Sequence, residues 1–270
     1  MFGSSKKISA KACSGILLLF MAAGGPGVSA GQSGPGIGGV ERASGAVVPI
    51  VCLIRTHHDG RVIRYRSVGT GFFVGTSGTF VTAAHVLANF TDSTKGNVCR
   101  AAVAFSPATR KSAGREHWSG LPASAWESAP KNVQWFPFDS AACHKNHKFD
   151  VAVCKTIRDL TRESISHGVV AISTVRPTTG TNVFFVGYGR QALDSTAVSA
   201  SIAGVPPSDG SYALEIDKSA WLGASGSPIF ASDGTNVVGM IIKTGIGETS
   251  GRSFGVASDA IRTVLEEAAK

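Results

Sequence analysis

Three residues along the chain could together provide an activated nucleophile: His85, Asp150 and Ser225. A serine hydroxyl is a poor nucleophile at neutral pH without an adjacent base, and a histidine base needs a carboxylate to fix its tautomer and orientation. Ser225 lies in the small-residue stretch 223–228 (GASGSP), where a tight turn can point backbone amides at the atom under attack. The three residues together predict attack on a carbonyl carbon.

Each of these residues also has a simpler structural explanation. Glycine and serine are common in surface loops, a lone histidine usually caps or packs, and Asp150 can be a solvated turn residue. Their surroundings favour the chemical role, because His85 closes the run 79–85 (TFVTAAH) and Asp150 opens the apolar run 150–154 (DVAVC). A carboxylate at the edge of an apolar strand needs a partner.

The order His, Asp, Ser and the flanking sequences resemble the chymotrypsin-like serine proteases. Within them, the chain resembles the bacterial branch that contains the high-temperature-requirement-type proteases and the glutamyl endopeptidases. The resemblance covers about residues 45–268 and is carried by the segments 69–74 (GTGFFV), 80–87 (FVTAAHVL), 150–153 (DVAV), 223–230 (GASGSPIF), 238–242 (VGMII) and 254–257 (FGVA).

This resemblance implies an all-β fold of two antiparallel six-stranded-type β-barrels with a C-terminal helix, acting on a polypeptide without a cofactor. It implies hydrolysis of a peptide bond through an acyl-enzyme, with Ser225 as nucleophile, His85 as base and Asp150 orienting the histidine. The backbone amides of Gly223 and Ser225 would form the oxyanion hole.

The resemblance also indicates a primary substrate pocket. Ser219 and Ala220 would line it, and Ile242, Lys243 and Thr244 would form its edge strand. Because no acid stands at position 219, a preference for Arg or Lys is not expected, and the histidine of the glutamyl endopeptidases has no counterpart. A small or medium apolar substrate residue is expected.

Two residues depart from the usual pattern around the nucleophile. Ala224 stands where many relatives have Asp or Asn, and Ser227 replaces the second glycine of the commoner G-D-S-G-G-P. Without the acid, an ionic link cannot order the loop, which motivates an alternative: a catalytically silent, protease-like protein with a binding or chaperone-like role. The intact His85, Asp150 and Ser225 favour the peptidase.

The strand pattern divides the chain into two halves. Residues 46–160 are expected to form the first barrel, with a long insertion at about 88–148, and residues 161–270 the second barrel and terminal helix. Turn residues separate the β-rich runs at short intervals. The predicted strands are 47–55, 61–68, 70–74, 79–82, 150–154, 168–173, 182–187, 197–202, 211–216, 235–242 and 252–256, and the helix is 258–268.

Residues 1–30 are typical of a secretory signal peptide. Lys6, Lys7 and Lys11 precede a short apolar run, and small residues precede a cleavage site near Ala30-Gly31. The run is shorter than the roughly 20 residues that span a bilayer, so no membrane span is expected in the mature chain. A secreted or periplasmic protein is predicted, with residues 31–45 as a flexible leader.

Cysteine, histidine and charge content narrow the remaining possibilities. Four of the five cysteines lie beyond residue 30, which permits disulfides, and Cys99–Cys143 is the bridge we predict, with Cys154 as a buried thiol.

His144 and His147 have no further ligand at useful spacing, so no metal site is expected. The net charge is +8, yet no nucleic-acid-binding motif is present. With 43% hydrophobic residues, the chain is not a disordered one.

Overall fold

The computed structural model describes seven stretches of the chain. All of them belong to one compact unit that spans Ser33–Lys270. The predicted signal peptide and its cleavage site lie outside the described residues. Among those residues, no helix combines the length and apolar character needed to cross a membrane. The described stretches are 37–55, 62–88, 99–103, 134–162, 167–189, 195–205 and 214–270.

Apolar and β-branched segments of the first half build one antiparallel sheet in the order β5-β4-β1-β2-β3-β7-β6. A bridge between Phe138, in β5, and Thr156, just after β7, joins the edge strand β5 to the chain that leaves β7. Its strands are β1 (Val47–Arg55), β2 (Val62–Phe73), β3 (Thr79–Ala83), β4 (Cys99–Val103), β5 (Gln134–Phe138), β6 (His144–Asn146) and β7 (Val151–Lys155). A four-residue helix, α2 (Ala84–Leu87), follows β3.

The second half forms a closed six-stranded barrel in the order β12-β9-β10-β11-β14-β13, which β12 closes by also pairing with β13. A two-residue strand, β8, is added in parallel to β13. The strands are β8 (Ala171–Ile172), β9 (Asn182–Tyr188), β10 (Ser195–Gly204), β11 (Leu214–Ile216), β12 (Pro228–Ala231), β13 (Asn236–Thr244) and β14 (Ser253–Ala257).

The C-terminal helix, α3 (Ser258–Ala268), begins directly after β14. Ile261 and Val264 are fully buried one turn apart, as expected for an amphipathic helix that packs on a sheet. The predicted all-β class, the double-barrel fold and the terminal helix are confirmed.

Two segments differ from their predicted structure. The stretch predicted as an insertion at about 88–148 supplies β4, β5 and β6, and β4 lies beside β1 with Ile50 opposite Ala101. Residues 37–46, mostly inside the predicted flexible leader, form helix α1 (Ile37–Ala46). Helix α1 buries Ala43 and Ala46, whose small side chains allow close packing. In neither segment do apolar residues recur at regular helix or strand spacing, so the structure of both segments depends on tertiary contacts.

The predicted Cys99–Cys143 disulfide is wrong, because Cys143 is bonded to Cys154, with 4.5 Å between their Cα atoms. The strand register explains this pairing. Strand β6 pairs with β7 so that His144 lies opposite Val153, which places the cysteines next to them on facing positions. Cys52 is also disulfide-bonded and lies opposite Cys99 in the β1–β4 ladder.

We expect the double substitution Cys143→Ser and Cys154→Ser to lower the free energy of unfolding by about 2–4 kcal/mol, as for other native disulfides that close short loops. Denaturant unfolding of the oxidised parent and the variant measures the difference. A non-reducing peptide map of the parent should show the two cysteines in one linked fragment. A map that links Cys143 to Cys99 would contradict this pairing.

Candidate active site

The end of β3 and the start of β7 bring His85 and Asp150 together. Strands β3 and β7 are antiparallel neighbours, with Ala83 opposite Val151. The next residue beyond one strand therefore lies beside the residue that precedes the other, and the Ala84 amide donates to the Asp150 carbonyl at 3.0 Å. The backbone alone thus places the two side chains within contact distance.

Both carboxylate oxygens of Asp150 are engaged by His85. The His85 backbone amide donates to Oδ1 at 2.8 Å, and the imidazole Nδ1 lies 2.6 Å from Oδ2. Asp150 has a φ of 55°, in the left-handed region that Asp tolerates better than most residues. When Nδ1 carries the proton, the carboxylate accepts it in a hydrogen bond and Nε2 is left free to accept another. This is the tautomer that a general base requires.

Ser225 lies in a tight turn between two glycines of positive φ, Gly223 at 100° and Gly226 at 87°. The Ala224 amide donates to the Trp221 carbonyl at 3.0 Å, which closes the first part of the turn. A Cβ atom on Gly226 would lie 2.0 Å from the Thr70 carbonyl oxygen, so only glycine fits at this position. The predicted turn at Ser225 is therefore present.

Thr70, a fully buried residue of β2, binds the Ser225 turn to the first sheet. Its hydroxyl donates to the Gly223 carbonyl at 2.9 Å and accepts from the Tyr188 amide at 2.9 Å. Its backbone amide donates to the Ser225 carbonyl at 2.8 Å, and its own carbonyl accepts from the Thr82 hydroxyl at 2.7 Å. One residue thus joins the strand that leads to His85, the second barrel and the serine turn.

The Ser225 hydroxyl donates to the Ile242 carbonyl at 3.1 Å. The end of β13 therefore lies directly beside the Ser225 hydroxyl, and the hydroxyl proton points towards that strand. The backbone amides of Gly223 and Ser225 donate to no acceptor among the residues that the structure describes. Both amides therefore keep their hydrogen-bonding capacity.

Ala224, where many relatives have an acid, is fully buried in the apolar core of the second barrel. The turn is instead ordered by neutral backbone bonds. The Gly226 amide donates to the Ile241 carbonyl at 2.8 Å, and the Ile241 amide donates to the Ser227 carbonyl at 2.8 Å. An ionic link is therefore not required to form this turn.

The predicted pocket residues occupy two segments beside Ser225. Ser219 is exposed and Ala220 is buried in the loop before the turn, whereas Ile242 and Thr244 lie at the end of β13. The Lys243 ammonium lies 5.6 Å from the centre of the Phe254 ring, which is a cation–π contact. The Thr244 hydroxyl donates to the Ala220 carbonyl at 3.0 Å, so the two segments are in contact at this point.

His144 lies at the start of β6, where its Nε2 is 3.3 Å from Glu267 of helix α3. Hydrogen bonds from Asn146 and His144 lower the pKa of the Glu267 carboxyl below its usual value. Within the described ranges, no group of three or more His, Cys, Asp or Glu side chains is arranged to hold a metal ion.

A sequence model described as a trypsin-like peptidase domain matches residues 69–240. The chain belongs to this family. It is a chymotrypsin-like serine protease, and the matched range contains His85, Asp150 and Ser225.

Among solved structures, the serine endoprotease from Yersinia pestis is similar to this protease, with a TM-score of 0.57 and 18% sequence identity. The match covers 85% of this chain and 65% of that chain, so the protease spans about two thirds of its neighbour's length. At this identity the likeness shows the fold alone. A search of curated proteins finds no match.

Sequence reasoning missed Thr70, although it lies within the recognised segment 69–74. Threonine in a strand usually reflects β propensity, and its contact with Gly223 spans 153 positions of the chain. The G-T-G sequence was the available signal, since glycines beside a strand residue often mark a close backbone approach. A Cβ atom on Gly69 would indeed lie 3.0 Å from the Ser225 carbonyl oxygen.

We expect Thr70→Val to destabilise the protease, because it leaves the Gly223 carbonyl and the Tyr188 amide without their hydroxyl partner. Each buried unsatisfied group costs about 1–3 kcal/mol. Thr70→Ser keeps the hydroxyl and serves as the matched control. Thermal unfolding of the three proteins measures the effect, and a Thr70→Val protein as stable as the parent would contradict the role of the hydroxyl.

We expect Gly187→Ala to be destabilising because the added Cβ atom would lie 2.0 Å from Ser227 Oγ. That hydroxyl is buried and finds no hydrogen-bond partner among the described residues, so Ser227→Ala alone should be nearly neutral. In the double variant the clashing oxygen is gone, and most of the loss should be recovered. A double-mutant cycle on unfolding free energies checks this, with a coupling of about 1–3 kcal/mol expected. Additive losses would contradict the contact.

Proposed function

We propose that the chain is an exported serine endopeptidase in which Ser225, His85 and Asp150 act as a catalytic triad. The observation that carries the proposal is the Asp150 carboxylate, bound by both the amide and the Nδ1 of His85. This pair fixes the base at the end of β3, and Thr70 binds the Ser225 turn to the same sheet. The arrangement supplies a held base and a serine on a rigid turn.

In the proposed reaction, the Ser225 hydroxyl turns from the Ile242 carbonyl towards His85 Nε2. Nε2 accepts the proton as Oγ attacks the peptide carbonyl, and the developing oxyanion accepts hydrogen bonds from the Gly223 and Ser225 amides. His85 then gives the proton to the leaving amine, which breaks the peptide bond and leaves an ester on Ser225. Water hydrolyses this ester through the same groups.

Export is supported by two features of different kinds. Residues 1–30 have the basic, apolar and small-residue order of a signal peptide. The Cys143–Cys154 disulfide fits an oxidising compartment, because disulfides persist outside the cytosol. Together they favour a secreted or periplasmic enzyme.

The alternative of a silent binding or chaperone-like protein rests on Ala224. That residue does not leave the turn unformed, because the turn is ordered by neutral hydrogen bonds from Thr70 and Ile241. The amides of Gly223 and Ser225, which donate to no acceptor in the part of the chain that the structure describes, also favour the peptidase.

Labelling with a fluorescent fluorophosphonate tests the proposal, because this reagent reacts with activated serines. We expect the purified mature chain to be labelled and Ser225→Ala to remain unlabelled. Ser232→Ala, which removes an exposed serine from the turn after β12, is the matched control and should be labelled like the parent. Circular dichroism establishes that all three are folded.

Steady-state kinetics tests the role of Asp150 in orienting the base. Asp150→Asn should lower kcat by about four orders of magnitude, because the amide favours the wrong histidine tautomer. A folded parent that is neither labelled nor able to cleave casein would contradict the peptidase and favour the binding protein.

A further inference from the structure

Asp150 is the last residue of the four-residue turn 147–150, which joins β6 to β7. Its φ of 55° lies in the left-handed region, and a residue other than glycine keeps such a conformation only where its surroundings fix it. On the side of β3, the Ala84 amide donates to the Asp150 carbonyl at 3.0 Å. The direction of the carboxylate therefore depends also on what holds the turn on its other side.

Asn146, the last residue of β6, holds this turn with its side chain. Its Oδ1 accepts from the backbone amide of Lys148 at 3.1 Å and from that of Phe149 at 3.2 Å. These are the two residues directly before Asp150. Because one oxygen accepts from two successive amides, it restricts the backbone torsions of both residues. Asn146 thus limits the path by which the chain enters Asp150.

The NH2 group of the Asn146 amide is bound by the C-terminal helix α3. Nδ2 donates to Glu267 Oε2 at 3.1 Å, and His144 Nε2 lies 3.3 Å from the same oxygen. These partners permit one orientation of the amide, since a flipped amide would point its NH2 group at two N–H donors and its oxygen at a carboxylate. Glu267 therefore keeps the Asn146 oxygen facing the turn.

The rest of the hairpin leaves the turn as its adjustable part. The Cys143–Cys154 disulfide joins β6 to β7 at the end of the hairpin that is farthest from the turn. Helix α3, which follows the last strand of the second barrel, packs on both β6 and β7. The two strands are thus fixed on each other and on the helix, and Asn146 extends this fixation to the residues before Asp150.

We propose that Asn146 is a positioning residue, which holds Asp150 in the orientation that binds His85, and that Glu267 orients Asn146. The inference rests on the triad proposed above and adds two residues that act only through Asp150. It connects the C-terminal helix, in the second half of the chain, with the carboxylate that orients the base in the first half.

Asn146→Ala tests the proposal, because it removes the acceptor of both turn amides from a partly exposed position. With casein as substrate, we expect kcat to fall by about tenfold to 100-fold, as for a small misplacement of a catalytic group. KM should be unchanged, because the orientation of the base matters in the transition state and not in substrate binding. Circular dichroism establishes that the variant is folded.

Proton NMR supplies a readout that does not require turnover. The proton between His85 Nδ1 and Asp150 Oδ2, which are 2.6 Å apart, should resonate far downfield of the amide protons, because the bond is short and charge-assisted. In Asn146→Ala this resonance should move upfield or disappear. A loss of global stability that leaves Asp150 in place would not move it.

A reversed hydrogen bond tests the role of Glu267. Asn146→Asp keeps an oxygen for the turn amides but sets a carboxylate against that of Glu267, so kcat should fall by about two- to fivefold, the size of an exposed charge interaction. Adding Glu267→Gln supplies an amide donor and should restore most of the loss. The matched control combines Asn146→Asp with Glu266→Gln, which removes the same charge from the exposed neighbour, and should not restore it.

The resonance and the kinetics together decide the role of Asn146. A folded Asn146→Ala protein with parental kcat overturns the proposal, and so does a fall in kcat with an unmoved resonance, because Asn146 would then act by another route. Equal restoration by Glu266→Gln and Glu267→Gln overturns the role of Glu267. If Asn146→Ala does not fold, an Asn146→Asp protein with parental kcat, or one that Glu267→Gln does not restore, overturns the proposal.

The resonance also separates this inference from the proposed function. A folded parent that shows it but is neither labelled nor active overturns the peptidase, whereas its response to Asn146→Ala still decides whether Asn146 positions Asp150. A parent without the resonance lacks the bond between His85 and Asp150 and overturns both proposals.

Discussion

The hydrogen bonds of Thr70 are the interaction on which the rest of the site depends. Its hydroxyl and backbone amide together bind Gly223 and Ser225, and its carbonyl accepts from the hydroxyl of Thr82, three residues before His85. The serine turn comes from the second half of the chain, and the histidine comes from the first. Thr70 is where they meet, in a buried position from which water cannot replace a lost partner.

Strand register determines the other half of the site. Because Ala83 lies opposite Val151, the residues beyond these strand ends must be neighbours, and the Asp150 carboxylate reaches both donors of His85. The rigid β3–β7 ladder thus sets a side-chain contact to within hydrogen-bonding distance. Loops alone rarely position groups so closely, which is why functional groups are best supported by regular elements.

Much of this architecture could be predicted from local sequence. The strand at 47–55 and the helix at 258–268 each have apolar residues at the spacing typical of that element. The structure contains both elements with the predicted bounds. The turn at Ser225 could be predicted because glycines mark positive φ.

The remaining features depend on partners that are distant in sequence. The Cys143–Cys154 pairing follows from the register of β6 on β7, which no local pattern specifies. Helix α1 is rich in glycine and alanine, so its apolar period is weak and its burial depends on the surfaces it contacts. The role of Thr70 exists only once both halves are folded.

The replacement of an acid by Ala224 changes how the site responds to its medium. Salt screens ion pairs, and titration of a carboxylate switches them off, whereas hydrogen bonds between buried neutral groups respond to neither. The serine turn is held by such neutral groups, through Thr70 and the Ile241 backbone. These hydrogen bonds therefore contain no charge that salt could screen and no carboxylate that acid could protonate. A serine turn held in this way suits the exported enzyme proposed above.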